Sequence, residues 1–372
     1  MKISRLLFTI HSYFGLITGV FLLLLGLSGS ALVFMEELDE WFNRDLLTVK
    51  AQAKALPLDQ LYQTITQRYP RLDGLAWLNP GAKADEAYNF RLYSNDGKLH
   101  TYDLEIISLN PYTAEILREG RYDHLQSGIM QWLFQFHFSF HLGAPGAALT
   151  AIFGLTMLIS IFTGLIVYRK FFWRALTFRV KIKWKNWRTA SSDLHRVVGV
   201  WALLFNLVIF FTGFWMNLFA FDSSYWKGEM QPSKANIAIS QSFDAMLAKA
   251  KKALPELELT YVYFPTQKER TFNVIGKKQG DWAIFGAANA VIVDPQKGKI
   301  LAMSTLDKAT WSEKLEAVVY PLHVGAFGGT PLRILYVLIG LTPGLLSITG
   351  FLLWWRRSGK KQRKYVKLNA QA

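Results

Sequence analysis

The chain has 372 residues, 51% of them hydrophobic, no cysteine, and a formal net charge of +15. Its apolar content excludes an ordinary soluble globule, and the missing thiols exclude iron–sulfur clusters, covalently attached haem, thiol catalysis and disulfides. The basic excess does not indicate nucleic acid: 18 basic residues and one acid, Asp193, stand in three short segments, leaving 24 basic and 26 acidic residues elsewhere.

Residues 1–35 are predicted as the first transmembrane helix. The apolar run 6–34 follows Lys2 and Arg5 and exceeds the ~7–15 residues of a cleavable leader, so it reads as an uncleaved anchor. Segment 36–125 is soluble in character, with an amphipathic helix at 58–68, alternating strands at 87–93 and 101–109, and an Asn110-Pro111 turn into a strand ending at Leu117. Segment 126–170 carries His137 and His141 and then the span 147–168. A basic connection, 171–194, leads to the third predicted helix at 195–221. Segment 222–311 repeats the soluble pattern, with a helix at 243–253, strands at 261–264, 270–275 and 290–293, and an Asp294-Pro295 turn into a strand ending at Leu301. Segment 312–356 holds His323 and the span 332–355, and 357–372 is a basic tail. The positive-inside rule places both termini and the basic segments in the cytoplasm and the two long loops outside, with the basic face against anionic lipid or an acidic partner.

This order is a repeat. His11 and His195 each open HxxxG at the start of a span, and His141 and His323 each open HxGxxG just before one. Gly29 follows His11 by 18 residues, as Gly213 follows His195, and each closes a small-residue pair, Ser28-Gly29 and Thr212-Gly213. Thr-Gly recurs at 163–164 and 349–350. The predicted fold class is therefore an α-helical membrane protein with four transmembrane helices from an internal duplication and two small α+β domains.

Topology decides which histidines meet. His11 and His195 begin helices leaving the cytoplasm, whereas His141 and His323 precede helices returning from outside, so one pair falls at each membrane face. Paired imidazoles on membrane helices are what a bis-histidine haem requires, with two irons on the order of 20 Å apart across the bilayer. Gly15 and Gly199, one turn from His11 and His195, leave flat room beside the helices. His137 lies one turn before His141 and is an equally placed outer ligand, although only His141 matches His323 by pattern. His100 and His124 read as surface residues, Asn206 as a polar tie between helices, and Trp132, Tyr320, Trp354 and Trp355 as an interfacial belt. Arg5, Arg196 and Arg333 are candidate partners for haem propionates.

These motifs, with the Asn/Asp-Pro turns, carry a resemblance over nearly the full length to the PepSY-associated transmembrane helix family of bacterial inner-membrane proteins. The resemblance implies two haem b groups held by His11, His195, His141 or His137, and His323, PepSY-like periplasmic domains, and reduction of a ferric siderophore or another ferric chelate. No dinucleotide fingerprint occurs, so quinol or a separate cytoplasmic reductase is the expected donor. No catalytic side chain is assigned. The competing functions are a haem-free metal permease, which the spans' lack of intramembrane acids disfavours, and a membrane-anchored PepSY sensor or protease regulator.

Overall fold

The computed structural model describes residues 3–93, 104–222, 235–268 and 270–369, with side chains to Ser358. Lys2, His100, the first residues of the 101–109 strand and the tail side chains beyond Ser358 lie outside the described residues.

The first span is α1 (Ile3–Leu32), 30 residues of nearly continuous apolar sequence interrupted on one face by small residues. Two short helices, α2 (Met35–Phe42) and α3 (Arg44–Leu47), then turn the chain outward, and α4 (Leu58–Arg68) follows. Strands β1 (Gly74–Trp77), β2 (Tyr88–Tyr93), β3 (Leu104–Leu109) and β4 (Ile116–Arg121) come next. Helix α5 (Ile129–Ser139) brings the chain back to α6 (Gly143–Tyr168), the second span. The basic connection holds one short helix, α7 (Phe172–Leu176).

The third apolar run does not make one straight helix. It forms α8 (Trp187–Trp201) and α9 (Leu203–Met216), bent by 67° about Ala202. Helix α8 also starts inside the basic connection, because the Asn186 side chain caps the Thr189 amide at 3.0 Å. The second half contributes α10 (Phe243–Ala253), then β5 (Leu257–Phe264), β6 (Phe272–Lys278), β7 (Asn289–Val293) and β8 (Ile300–Ser304). A Thr310–Glu313 capping box starts α11 (Trp311–Val324). Helices α12 (Gly329–Gly340) and α13 (Thr342–Asn369) complete the chain and supply one apolar span over Gly329–Ser358. Among the described residues, three helical segments are thus long and apolar enough to cross a membrane, and four if the bent pair counts as one.

The strands of both soluble segments form one antiparallel sheet, β4-β3-β2-β1-β5-β6-β7-β8. The halves join where Leu75, Ala76 and Trp77 pair with Phe264, Tyr263 and Val262. Two separate four-stranded sheets would leave β1 and β5 as open edges, and their pairing closes both. One face carries Leu75, Phe90, Leu92, Ile107, Val262, Phe264, Phe272 and Val274 against α4 and α10, which is the main core. The opposite face, with Ala76, Tyr93, Ile106 and Tyr263, packs on Phe134 and Phe138 of α5. The sheet therefore sits directly on α5, the helix that carries His137.

Candidate functional site

Four histidine rings meet in two pairs. His11 of α1 and His195 of α8 have ring centroids 6.1 Å apart, and His137 of α5 and His323 of α11 stand 6.3 Å apart. Ser28, which holds His137, is 17 residues beyond His11 on α1, so the pairs are separated by about 25 Å along that helix.

Each ring rests on a Ser/Thr-Gly step of a neighbouring helix. His11 Nδ1 lies 3.0 Å from the Ser160 carbonyl and 3.4 Å from Thr163 Oγ1, and a Cβ at Gly164 would approach its Cε1 to 3.1 Å. His195 Nδ1 is 2.9 Å from Thr349 Oγ1, with Gly350 as the open position beside the ring. In the second pair, His137 Nδ1 is 2.9 Å from Ser28 Oγ, with Gly29 beside it. His323 Nδ1 is 3.1 Å from both Thr212 Oγ1 and the Ile209 carbonyl, with Gly213 beside it. The small-residue pairs legible in the sequence are therefore seats for histidines from other helices, not for groups held by their own.

The hydrogen bonds fix the tautomer. A carbonyl only accepts, so His11 and His323 donate from Nδ1–H. Thr349 Oγ1 and Ser28 Oγ already donate to the Leu345 and Leu24 carbonyls at 2.8 Å each, so they accept from His195 and His137. Among the described residues these four rings hydrogen-bond only through Nδ1. All four imidazoles thus keep an Nε2 lone pair directed away from the anchor, the arrangement that orients a metal-ligating histidine.

The spacing has a chemical meaning. Two metal–nitrogen bonds of about 2.0 Å, plus about 1.1 Å from each nitrogen to its ring centre, span about 6 Å. Both pairs match that span. No group of three His, Asp or Glu side chains gathers among the described residues, so each pair offers two axial donors and no equatorial set. A planar complex bringing its own equatorial ligands suits such a pair. Space for it exists at the first pair: a cavity of about 1280 Å³ is lined by His11, His195, Gly15 and Gly199 and rimmed by Arg174, Arg196 and Arg357. A Cβ at Gly15 would touch nothing within 4 Å, and one at Gly199 would meet only Leu346 at 3.7 Å.

The motif-based pairing of His141 with His323 is not formed. Helix α5 ends at Ser139, with Phe140 and His141 in left-handed conformation (φ 50° and 58°), whereas α11 continues through His323. The early stop leaves His137 in the last helical turn, facing His323, and turns His141 onto Trp132 and Phe136, at centroid distances of 4.7 and 5.9 Å. Both ring nitrogens of His141 lack a hydrogen-bond partner. The HxGxxG glycines instead reverse the chain: Gly143 and Gly325 have φ of 62° and 73°.

Other sequence candidates are placed as follows. Arg333 is taken up at the α1–α2 junction, bonding the Val33 carbonyl and Glu37 and lying 4.2 Å over the Phe34 ring. Arg196 lines the cavity beside Tyr168, while Arg5 is exposed on α1. Asn206 ties α9 to α13 through Thr342 at 3.1 Å. Exposed His124 neighbours Asp123 at 3.6 Å.

A family model described as the PepSY-associated TM region matches residues 8–357. The Pseudomonas aeruginosa protein PA4219, described as uncharacterized, is 32% identical over 84 residues, 22% of this chain. That similarity spans 20% of the length of the relative.

Proposed function

The chain belongs to the PepSY-associated TM region family, and from that premise we propose that it is a di-haem b oxidoreductase of the bacterial inner membrane that reduces a ferric chelate in the periplasm. The observation that carries the reading is the pair of imidazole couples about 25 Å apart along α1, each at bis-axial spacing with Nδ1–H anchored and Nε2 free. Bound haem supplies one-electron chemistry over a potential range set by its axial ligands and surroundings.

The protein's part is positional. His11 and His195 would hold one group beside the basic segments, the side from which a quinol or a cytoplasmic reductase would supply electrons. His137 and His323 would hold the second group beneath the sheet, the side on which the chelate's Fe(III) would take up one electron to become Fe(II). Fe(II) is bound less tightly by hard oxygen donors, so the iron is released. The Ser, Thr and carbonyl anchors hold each ring in one orientation. The permease alternative fares worse, because two histidines without carboxylates are a sparse set for a bare transported ion.

Protein purified from haem-supplied cells should give a reduced-minus-oxidised spectrum with about two b-type haems per chain. A colourless protein with no haem sinks the proposal. Gly29→Val tests the seat: a Cβ there would come within 2.8 Å of His137 Cε1. Displacing a ligand ring that way is expected to weaken haem at the second pair by on the order of 10–100-fold, read by haem transfer to apomyoglobin.

A further inference from the structure

Above the His137–His323 pair, the helix-facing side of the sheet holds a cation that the proposed electron path does not use. Arg91 extends from β2, on the face shared with Ala76 and Ile106. Its Nε donates to the Tyr122 hydroxyl at 3.3 Å, and its guanidinium carbon lies 5.7 Å from the Tyr122 ring centre and 5.6 Å from that of Phe134. The side chain is half-buried, and the phenols of Tyr122, Tyr93 and Tyr261 lie within electrostatic reach of its charge. It forms no ion pair among the described residues. Glu36 senses its charge, but that carboxyl is itself pushed up by burial and then by Glu37, which makes it a poor counter-ion. A half-buried guanidinium with spare N–H donors and no ion pair is a ready partner for an oxyanion that reaches it.

The position of this cation is also informative. Phe134 and Tyr320 each lie three residues, about 4.5 Å along the helix axis, from His137 and His323 respectively. Tyr320 retains 54% of its surface open and lies within electrostatic reach of Arg91, Glu36 and Arg333.

We propose that Arg91, with Tyr122 and Tyr320, binds a carboxylate or similar oxyanion of a ligand seated against the His137–His323 pair. Two sources share that chemistry: the propionate edge of a haem held by the pair, or a carboxylate of the incoming ferric chelate. The first source rests on the function proposed above, and the second does not require it.

The experiment uses the full chain in detergent as wild type, Arg91→Leu and Arg91→Lys, with any haem at His11–His195 as an internal report of folding. If the anion is a propionate, Arg91→Leu loses the second haem or moves its midpoint potential negative, because removing a cation favours the ferric form. Arg91→Lys recovers part of the shift, and the other haem is unmoved. If the anion is the chelate, both potentials stay in place while ferric citrate binding, titrated by tryptophan fluorescence, weakens on the order of tenfold, the scale of one charged hydrogen bond. Unchanged haem content, potentials and citrate affinity in both variants overturn the proposal. Should Arg91→Leu fail to fold, Arg91→Lys decides by the same readouts. A wild type without haem removes the proposed function, and the citrate titration then settles Arg91 alone.

Discussion

Replacing His137 by Ala is expected to take haem content from about two per chain to about one, while His141→Ala leaves it at two. The contrast follows from where α5 stops. His137 lies inside the last turn with Nδ1 on Ser28 and its ring 6.3 Å from His323, whereas His141 lies past the helix end and packs on Trp132. Loss of one axial ligand leaves His323 as a single donor in a site built for two, and the remaining imidazole cannot hold a low-spin bis-histidine complex. The pyridine haemochrome value decides it, and the surviving spectrum should be that of the His11–His195 group. The reverse outcome, with His141→Ala losing haem and His137→Ala keeping it, would return the motif-based pairing and overturn the assignment made from geometry.

The reason motif and geometry disagree bears on how far a sequence of this kind can be read. Helices α4 and α10 were legible residue for residue, because each shows apolar positions at helical spacing on a face that packs on the sheet. Strands β2 and β7 were legible from alternation. Strand β1 was not, and its four residues are all buried: at the centre of an eight-stranded sheet both faces are covered, so alternation vanishes. The same strand joins the two halves, so the single sheet was hidden with it. At the candidate site, repetition exposed His11, His195 and His323 and the Ser/Thr-Gly steps. What it lacked was the partner of each step. Ser28 meets His137 across 109 residues, and Thr349 meets His195 across 154, and nothing local in the sequence encodes those separations. Arg91 was invisible for the same reason, since an arginine in an alternating strand reads as solvent-facing until the opposite face is found to be covered by helices.

Arg118→Ala is expected to be the most damaging change outside the histidines, lowering stability by about 3–5 kcal/mol. Arg118 of β4 forms a fork with Asp39 of α2 at 2.9 and 3.0 Å, its Nε donates to Ser108 of β3 at 3.2 Å, and Gln131 of α5 donates to the same carboxylate at 2.9 Å. The arginine side chain is 1% exposed and the aspartate 10%, so truncation strands a carboxylate away from water. By contrast, the Arg68–Glu119 pair has its arginine 58% exposed, and breaking it should cost about 0–1 kcal/mol. The buried fork is also the joint between the sheet, the exit of α1 and the helix that presents His137. Gly128, at φ 117° directly before α5, leaves no room for a side chain there, since a Cβ would fall 3.1 Å from both Arg118 and Asp39. Thermal unfolding in detergent should therefore show a large fall in midpoint for Arg118→Ala and a negligible one for Arg68→Ala. Haem measured below the unfolding transition adds a second reading: if the joint positions α5, Arg118→Ala loses the His137–His323 haem before the His11–His195 haem, and simultaneous loss of both would mean that the fork stabilises the fold without positioning the site.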